Sequence, residues 1–169
     1  MYSSSITIDT IMDKLVIFLT PFLSGVSIVR AQVNRTAMPP NPCVVLTELL
    51  QVDIHVPWRD YQPPILVSTS TIHAPARIDV QMDFYGALAG EYAKTIKSVF
   101  RSDYAFDTFP LDIKPLYTSD AIQAPLITGE QQYESRWTIT TSLQYNPTIT
   151  LPQQFADEAK ITGFVDADV

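Results

Sequence analysis

The chain has 169 residues, 46% of them hydrophobic and 17% charged, enough for one well-buried core and too apolar for wholesale disorder. Its 18 acidic against 11 basic residues give a formal net charge of -7; the basic residues are scattered, which excludes a binder that displaces counterions from nucleic-acid phosphates and argues against docking on an anionic membrane. Cys43 is the single cysteine, which excludes an intramolecular disulfide and suits a reducing compartment.

Ser3 to Ser5 and Asp9 offer N-caps for a first helix, whose apolar stripe is Ile8, Ile11, Leu15, Phe18, Leu19 and Phe22 and which ends between Pro21 and Gly25. The stripe is broad, which suits either a core helix or one packed partly on a neighbouring subunit. Its run Leu15 to Leu23 is too short to span a bilayer. Asp9 and Asp13 before it, Pro21 inside it and the lack of a small-x-small pattern after it argue against a signal-peptide core.

Val26 to Gln32 predicts a short strand, and Asn34 to Pro42 a loop whose prolines bar it from a central strand. The β-rich runs 42–55 and 65–73, joined by WRDYQPP, predict a long antiparallel hairpin. Its tip, with Trp58, Arg59, Asp60 and Tyr61 stiffened by two prolines, is a candidate contact surface, or else an ordinary exposed loop with an aromatic folded back on the sheet. Arg77 to Tyr85 alternates cleanly, with Ile78, Val80, Met82 and Phe84 on one face and Arg77, Asp79, Gln81 and Asp83 on the other. The two carboxylates at i and i+4 fit a solvated or interface side better than acid-base or metal chemistry.

Gly86 and Gly90 bracket a turn, after which Ala89, Tyr92, Ala93, Ile96, Val99 and Phe100 predict a second amphipathic helix. Pro110, Pro115 and Pro125 make 103–128 an extended connection without a regular ladder. The stretch 128–146 carries the longest period of two: Tyr133, Trp137, Ile139, Leu143 and Tyr145 on an apolar side, Glu134, Arg136, Thr138, Thr140, Ser142 and Gln144 on a polar one. Thr148 to Leu151 extends or pairs, 152–160 is a short helix, and 161–169 is an acidic tail expected to be mobile unless it docks. The expected fold is α+β: one domain over 1–169, a mainly antiparallel sheet with a long β-hairpin and two α-helices packed on one face.

No nucleophile elbow, H-E-x-x-H, C-x-x-C, P-loop or dinucleotide fingerprint occurs in the sequence. Cys43, His55 and His73 do not make a zinc site from their spacing, and Cys43, flanked by Pro42 and Val44, fits a buried small hydrophobe better than a reactive thiol. The expectation is a non-enzyme with no catalytic residues, cofactor or metal.

The segment TGEQQYESRWTITTSLQYNP, supported by VRAQVNRTAMPPNPCVVLTEL, RIDVQMDFYG, FRSDYAFD and PQQFADEAKITGFVDAD, resembles the phage neck or tail terminator family over nearly the whole chain. The resemblance implies a structural virion protein, assembled in the host cytoplasm. It would cap the tail and join it to the neck as a homohexameric ring around the DNA channel. The implied partners are further copies of itself, the connector or neck protein, the tail tube protein and the sheath, with DNA passing through unbound. Matched positions suggest that Gly129 and Glu130 set a turn before the long strand. Arg136, mid-strand on the polar face, calls for a carboxylate partner within the subunit or across a ring interface. Glu134, Arg136, Arg30 and Arg35 join the hairpin tip as interface candidates. A small protein-binding module, monomeric or dimeric, is the alternative.

Overall fold

A computed structural model of the chain describes residues 4–31, 39–62, 69–124, 126–127 and 133–153. Helix α1, Ile8–Leu19, starts on Thr7, whose hydroxyl accepts the Thr10 N–H at 3.2 Å, and buries Ile11, Met12, Leu15, Phe18 and Leu19. A 3-10 turn containing Pro21 ends it, and Gly25 at φ 74 turns the chain into strand β1, Ser27–Arg30. None of the described helices is long and apolar enough to cross a membrane.

Strand β2, Cys43–Asp53, runs parallel to β1 and leads to β3, Trp58–Gln62; β4, Thr69–His73, returns and continues as β5, Ala76–Tyr85. These four strands form one long hairpin, paired differently from the sequence expectation. β2 pairs with β5, from Cys43↔Tyr85 to Asp53↔Ala76, and β3 pairs with β4, from Trp58↔His73 to Gln62↔Thr69. The expected partner of 42–55, the run 65–73, loses because β5 carries apolar residues at four alternate positions, Ile78, Val80, Met82 and Phe84, that complete a core face with Val44 and Leu46. β4 has only Ile72 to offer. The expected tip is therefore itself a strand, and the connection beyond it, 63–68, lies outside the described residues.

Gly86, at φ 111, makes the turn out of β5; a Cβ there would meet the Pro42 Cα and Cβ at 3.4 Å. Helix α2, Ala89–Phe100, buries Ala89, Ala93, Ile96 and Phe100. The stretch expected to be irregular contains a third helix, α3, Asp103–Thr108, and a laddered strand, β6, Ile113–Thr118. α3 forms because Ala105 and the following Phe109 bury against the core, with Phe18 and Phe109 ring centroids 5.0 Å apart. Pro115 is tolerated because β6 is an edge strand with one ladder to keep.

Two short strands, β7, Ile122–Gln123, and β8, Leu126–Ile127, precede β9, Tyr133–Glu134, and β10, Arg136–Tyr145. The long alternating run is thus broken at Ser135. β10 keeps the predicted split, with Ile139, Leu143 and Tyr145 buried and Trp137 half-buried against the core. Tyr133, expected on the core side, is 79% exposed, because β9 leaves the main sheet to pair with β8. Strand β11, Thr148–Pro152, pairs with β4, so Pro152 belongs to a strand; the remainder of the expected helix 152–160, apart from Gln153, lies outside the described residues, as do the tail 161–169 and Gly129 and Glu130.

The main sheet has the order β1-β2-β5-β10-β6, antiparallel except for β1-β2, with β7 also on β10. Its apolar face and helices α1 and α2 share one core in which Phe18 meets Phe100 edge-on, centroids 5.8 Å apart. The fold is α+β as expected. β3, β4 and β11 form a second, three-stranded sheet, an arm continuing the main one.

Candidate interface surfaces

The arm begins where three strands are interrupted at one level. Pro57 separates β2 from β3, Pro75 separates β4 from β5, and Pro147 separates β10 from β11. A proline has no N–H for a ladder. The strands are instead tied across the joint by Ile54 N–H to the Pro75 carbonyl at 3.0 Å and Ala74 N–H to the Pro147 carbonyl at 3.1 Å. The joint holds a cleft of about 550 Å³ lined by Ile54, Trp58, His73, Pro75, Gln144 and Pro147. Its walls, apolar with two imidazoles at the rim, suit an apolar side chain of a partner better than a charged ligand.

Of the tip residues, Trp58 and Asp60 come together on one face of β3 and both hold His73. The Trp58 ring stacks on the imidazole at 5.0 Å and 6°, and Asp60 Oδ2 lies 2.9 Å from its Nε2. Arg59 and Tyr61 point to the other face of β3 and are exposed. His73 and His55, which packs edge-on against Trp58, were not singled out as contact residues by sequence; His73 is 15 residues from Trp58 and is brought onto it only by the β3-β4 pairing, whereas His55 is a near neighbour in the chain.

The other candidates lie away from the arm. Asp83, 4% exposed, accepts from Arg136 Nε at 3.1 Å and Nη2 at 3.0 Å, from Thr138 Oγ1 at 2.5 Å and from Gln81 Nε2 at 2.8 Å. The Arg136 charge is therefore bound inside its own subunit. Asp79 is held separately, by Ser142 Oγ at 2.6 Å and Arg77 Nη2 at 3.2 Å. Four residues of extended strand put the two carboxylates about 13 Å apart, too far to share one ion. Among the described residues no group of His, Cys, Asp and Glu is arranged to hold a metal.

Glu134 accepts from the Asn41 amide rather than joining Arg136, since the break at Ser135 puts them on different strands. Arg30 Nη1 is paired with Asp9 Oδ1 at 2.8 Å, tying β1 to α1. Arg35 lies outside the described residues. A second cleft, of about 620 Å³, lies between α2 and Trp137, with Lys94, Lys97 and Asp120 at its rim. The Lys97 hydrogen bond, and then its charge, hold the Asp120 carboxyl below its ordinary range. Gly90 lets the indole approach, since a Cβ there would lie 3.0 Å from Trp137 Cε2.

Sequence reasoning also missed the exposed apolar residues outside the tip. Leu49, Leu50, Val52, Ile54 and Val56 run along β2 and the joint, and Leu111, Leu116, Tyr117 and Ile122 cluster around β6 and β7. The signal available was the adjacent pair Leu49 and Leu50, which breaks the alternation where the β2-β5 register shifts, so that the alternation resuming over Leu50, Val52, Ile54 and Val56 no longer continues the core face of Val44 and Leu46.

An acidic α+β domain with a stiffened arm and apolar sheet edges is built to contact other proteins. The family model of the phage neck terminator protein matches residues 9–168, and the chain belongs to that family. Comparison with curated proteins found no match. Membership makes it a structural protein of the phage neck, carried in the virion, where it associates with other neck and tail proteins.

Proposed function

We propose that the chain terminates the phage tail at its head-proximal end and joins it to the neck as a homohexameric ring around the DNA channel. The observation that carries this reading is the family match over residues 9–168. In this role it works without catalysis or a cofactor. It contacts further copies of itself, the connector or neck protein above, and the tail tube protein, with the sheath where one exists, below. Assembly takes place in the host cytoplasm. The net charge of -7 supports the channel role, because an acidic wall repels phosphates and lets DNA pass without sticking. Interface roles for Arg30, Arg35, Glu134 and Arg136 remain part of this proposal alongside the arm residues Trp58, Arg59, Asp60 and Tyr61.

Deleting the gene tests it. Particles without the protein should lack joined tails or carry tails of uncontrolled length; tails of normal length joined to heads would refute the reading. The exposed Trp58 on the arm also suits a monomeric or dimeric protein-binding module. A stable monomer that is absent from purified virions would select that alternative.

A further inference from the structure

The β3-β4-β11 arm has two unlike sides. Arg59, Ile72 and Ile149 stand in one row across its three strands and Tyr61, Ser70 and Leu151 in the next, all on the same side. The opposite side carries Trp58, Asp60, His73 and threonines. A sheet side bearing Tyr61, Ile72, Ile149 and Leu151 calls for a covering layer. None of the four belongs to the core shared with α1 and α2, and Tyr61 is 58% exposed. The chain ahead of α1 is tied to the base of the arm: Ser5 gives its N–H to the Thr148 carbonyl at 3.0 Å and accepts the Thr148 N–H on Oγ at 2.9 Å.

Area and charge select the occupant. Even fully open, these four side chains amount to about 400 Å² at roughly 100 Å² each, half of the roughly 800 Å² that one partner contributes to a specific interface. Arg59 is the one charged residue in the two rows, and no carboxylate among the described residues pairs with it. A second copy docked side to side would set Arg59 against Arg59. A segment already tethered to the arm needs less area, because its local concentration is on the order of millimolar. The chain supplies one: β11 ends at Pro152, opposite Thr69 at the far end of the arm, and 154–169 follows, outside the described residues. Its 16 residues bring Phe155, Ile161, Phe164 and Val165, with Asp157, Glu158, Asp166 and Asp168 against Lys160 alone. Extended, they would reach about 50 Å, whereas the five-residue strands of the arm are about 17 Å long. Gln153, where the segment begins, is half-buried, and its Oε1 is closed off from solvent with no partner among the described residues. That fits a chain turning in against the protein rather than leaving into water. We infer that 154–169 folds back over the Tyr61 and Leu151 side of its own arm, its apolar residues on the two rows and its carboxylates toward Arg59. Docked there, it leaves the opposite side, with Trp58 and the cleft at the joint, as the side the arm offers to a partner protein.

The test is cross-linking within the purified full chain. Tyr61→Cys is combined in turn with Ile161→Cys, Phe164→Cys and Val165→Cys, and a short bis-maleimide is added. Thr150→Cys, exposed on the opposite side of the arm and nearer the segment along the chain, replaces Tyr61→Cys as the control for chance encounters of a tethered tail. Cys43 is 0% exposed and gives little background. Tyr61 and Thr150 are exposed, so these variants should keep the wild-type circular dichroism spectrum and melting midpoint. The expected result, at one or more of the three tail positions, is a link within the monomer that forms on the order of tenfold faster from Tyr61→Cys than from Thr150→Cys and at a rate unchanged by dilution. Adding Arg59→Glu should bring the two rates closer together. Equal rates from the two sides at all three positions would overturn the inference, as would faster linking from Thr150→Cys. Cross-linked dimers whose yield falls on dilution, in place of the link within the monomer, would give this side of the arm to the tail of another copy and overturn it too.

Discussion

Arg136 and Asp83, 53 residues apart in sequence, meet across the β5-β10 ladder with both Nε and Nη2 of the guanidinium on one carboxylate oxygen, at 3.1 and 3.0 Å. Thr138 and Gln81 complete the carboxylate's partners, leaving Asp83 4% exposed but satisfied. Asp83→Ala leaves the partly buried guanidinium and two polar side chains without that acceptor, so stability should fall by about 2 to 3 kcal/mol in urea unfolding. A double-mutant cycle of Asp83→Asn with Arg136→Gln should show a coupling of about 1 kcal/mol or more. Additive effects would mean that the pair contributes nothing beyond its separate residues.

How much of this was legible in the sequence depends on how local the cause is. β5 and β10 were readable because each has one apolar and one polar face, and α1 and α2 because their stripes recur at helical spacing. The third helix and β6 were hidden by Pro110 and Pro115, which suit an edge strand but look like breaks when the neighbour is unknown. The arm was hidden because Pro57, Pro75 and Pro147 lie far apart in sequence and meet at one level only once β2 has chosen β5. The carboxylate demand of Arg136 was evident from its strand position; its partner Asp83 followed only from the register.

Two tyrosines set an alkaline limit to stability. Burial, and then the Asp53 and Glu48 carboxylates, push the Tyr145 phenol up; burial is also the largest influence on Tyr85, which is raised although Arg136 opposes the shift. The folded state therefore favours the neutral phenols. That contribution is complete below the ordinary tyrosine pKa of about 10 and is lost as pH rises through the higher folded values. Absorbance titration of phenolate should show two late-titrating tyrosines, and Tyr145→Phe should remove one of them. The same substitution deletes the 2.8 Å bond from the Tyr145 hydroxyl to Gln51 Oε1 and should cost about 1 kcal/mol.

Cys43 should behave as an inert thiol. It is 0% exposed, and burial first, then the Glu134 charge, raise its pKa. A thiol reagent at pH 8 should leave the native protein unmodified for as long as it stays folded and label it at once in denaturant. Rapid labelling under native conditions would mean that the β1-β2 edge opens readily.

The arm residues should separate folding from assembly. Trp58 is 47% exposed and its main contact is the stacked His73, so Trp58→Ala with Arg59→Ala should change unfolding stability by about 1 kcal/mol or less. Complementation of a gene-deleted phage with this variant should yield far fewer joined particles than wild type. Loss of soluble protein would show instead that Trp58 supports the fold.

Imaging the neck of intact virions at a resolution that traces the chain decides whether this protein forms a closed ring at the head end of the tail. Six copies are expected around the DNA channel between tail tube and connector, each in contact with its neighbours. Absence of the chain from the neck, or its presence as isolated copies that make no contact with one another, would contradict it.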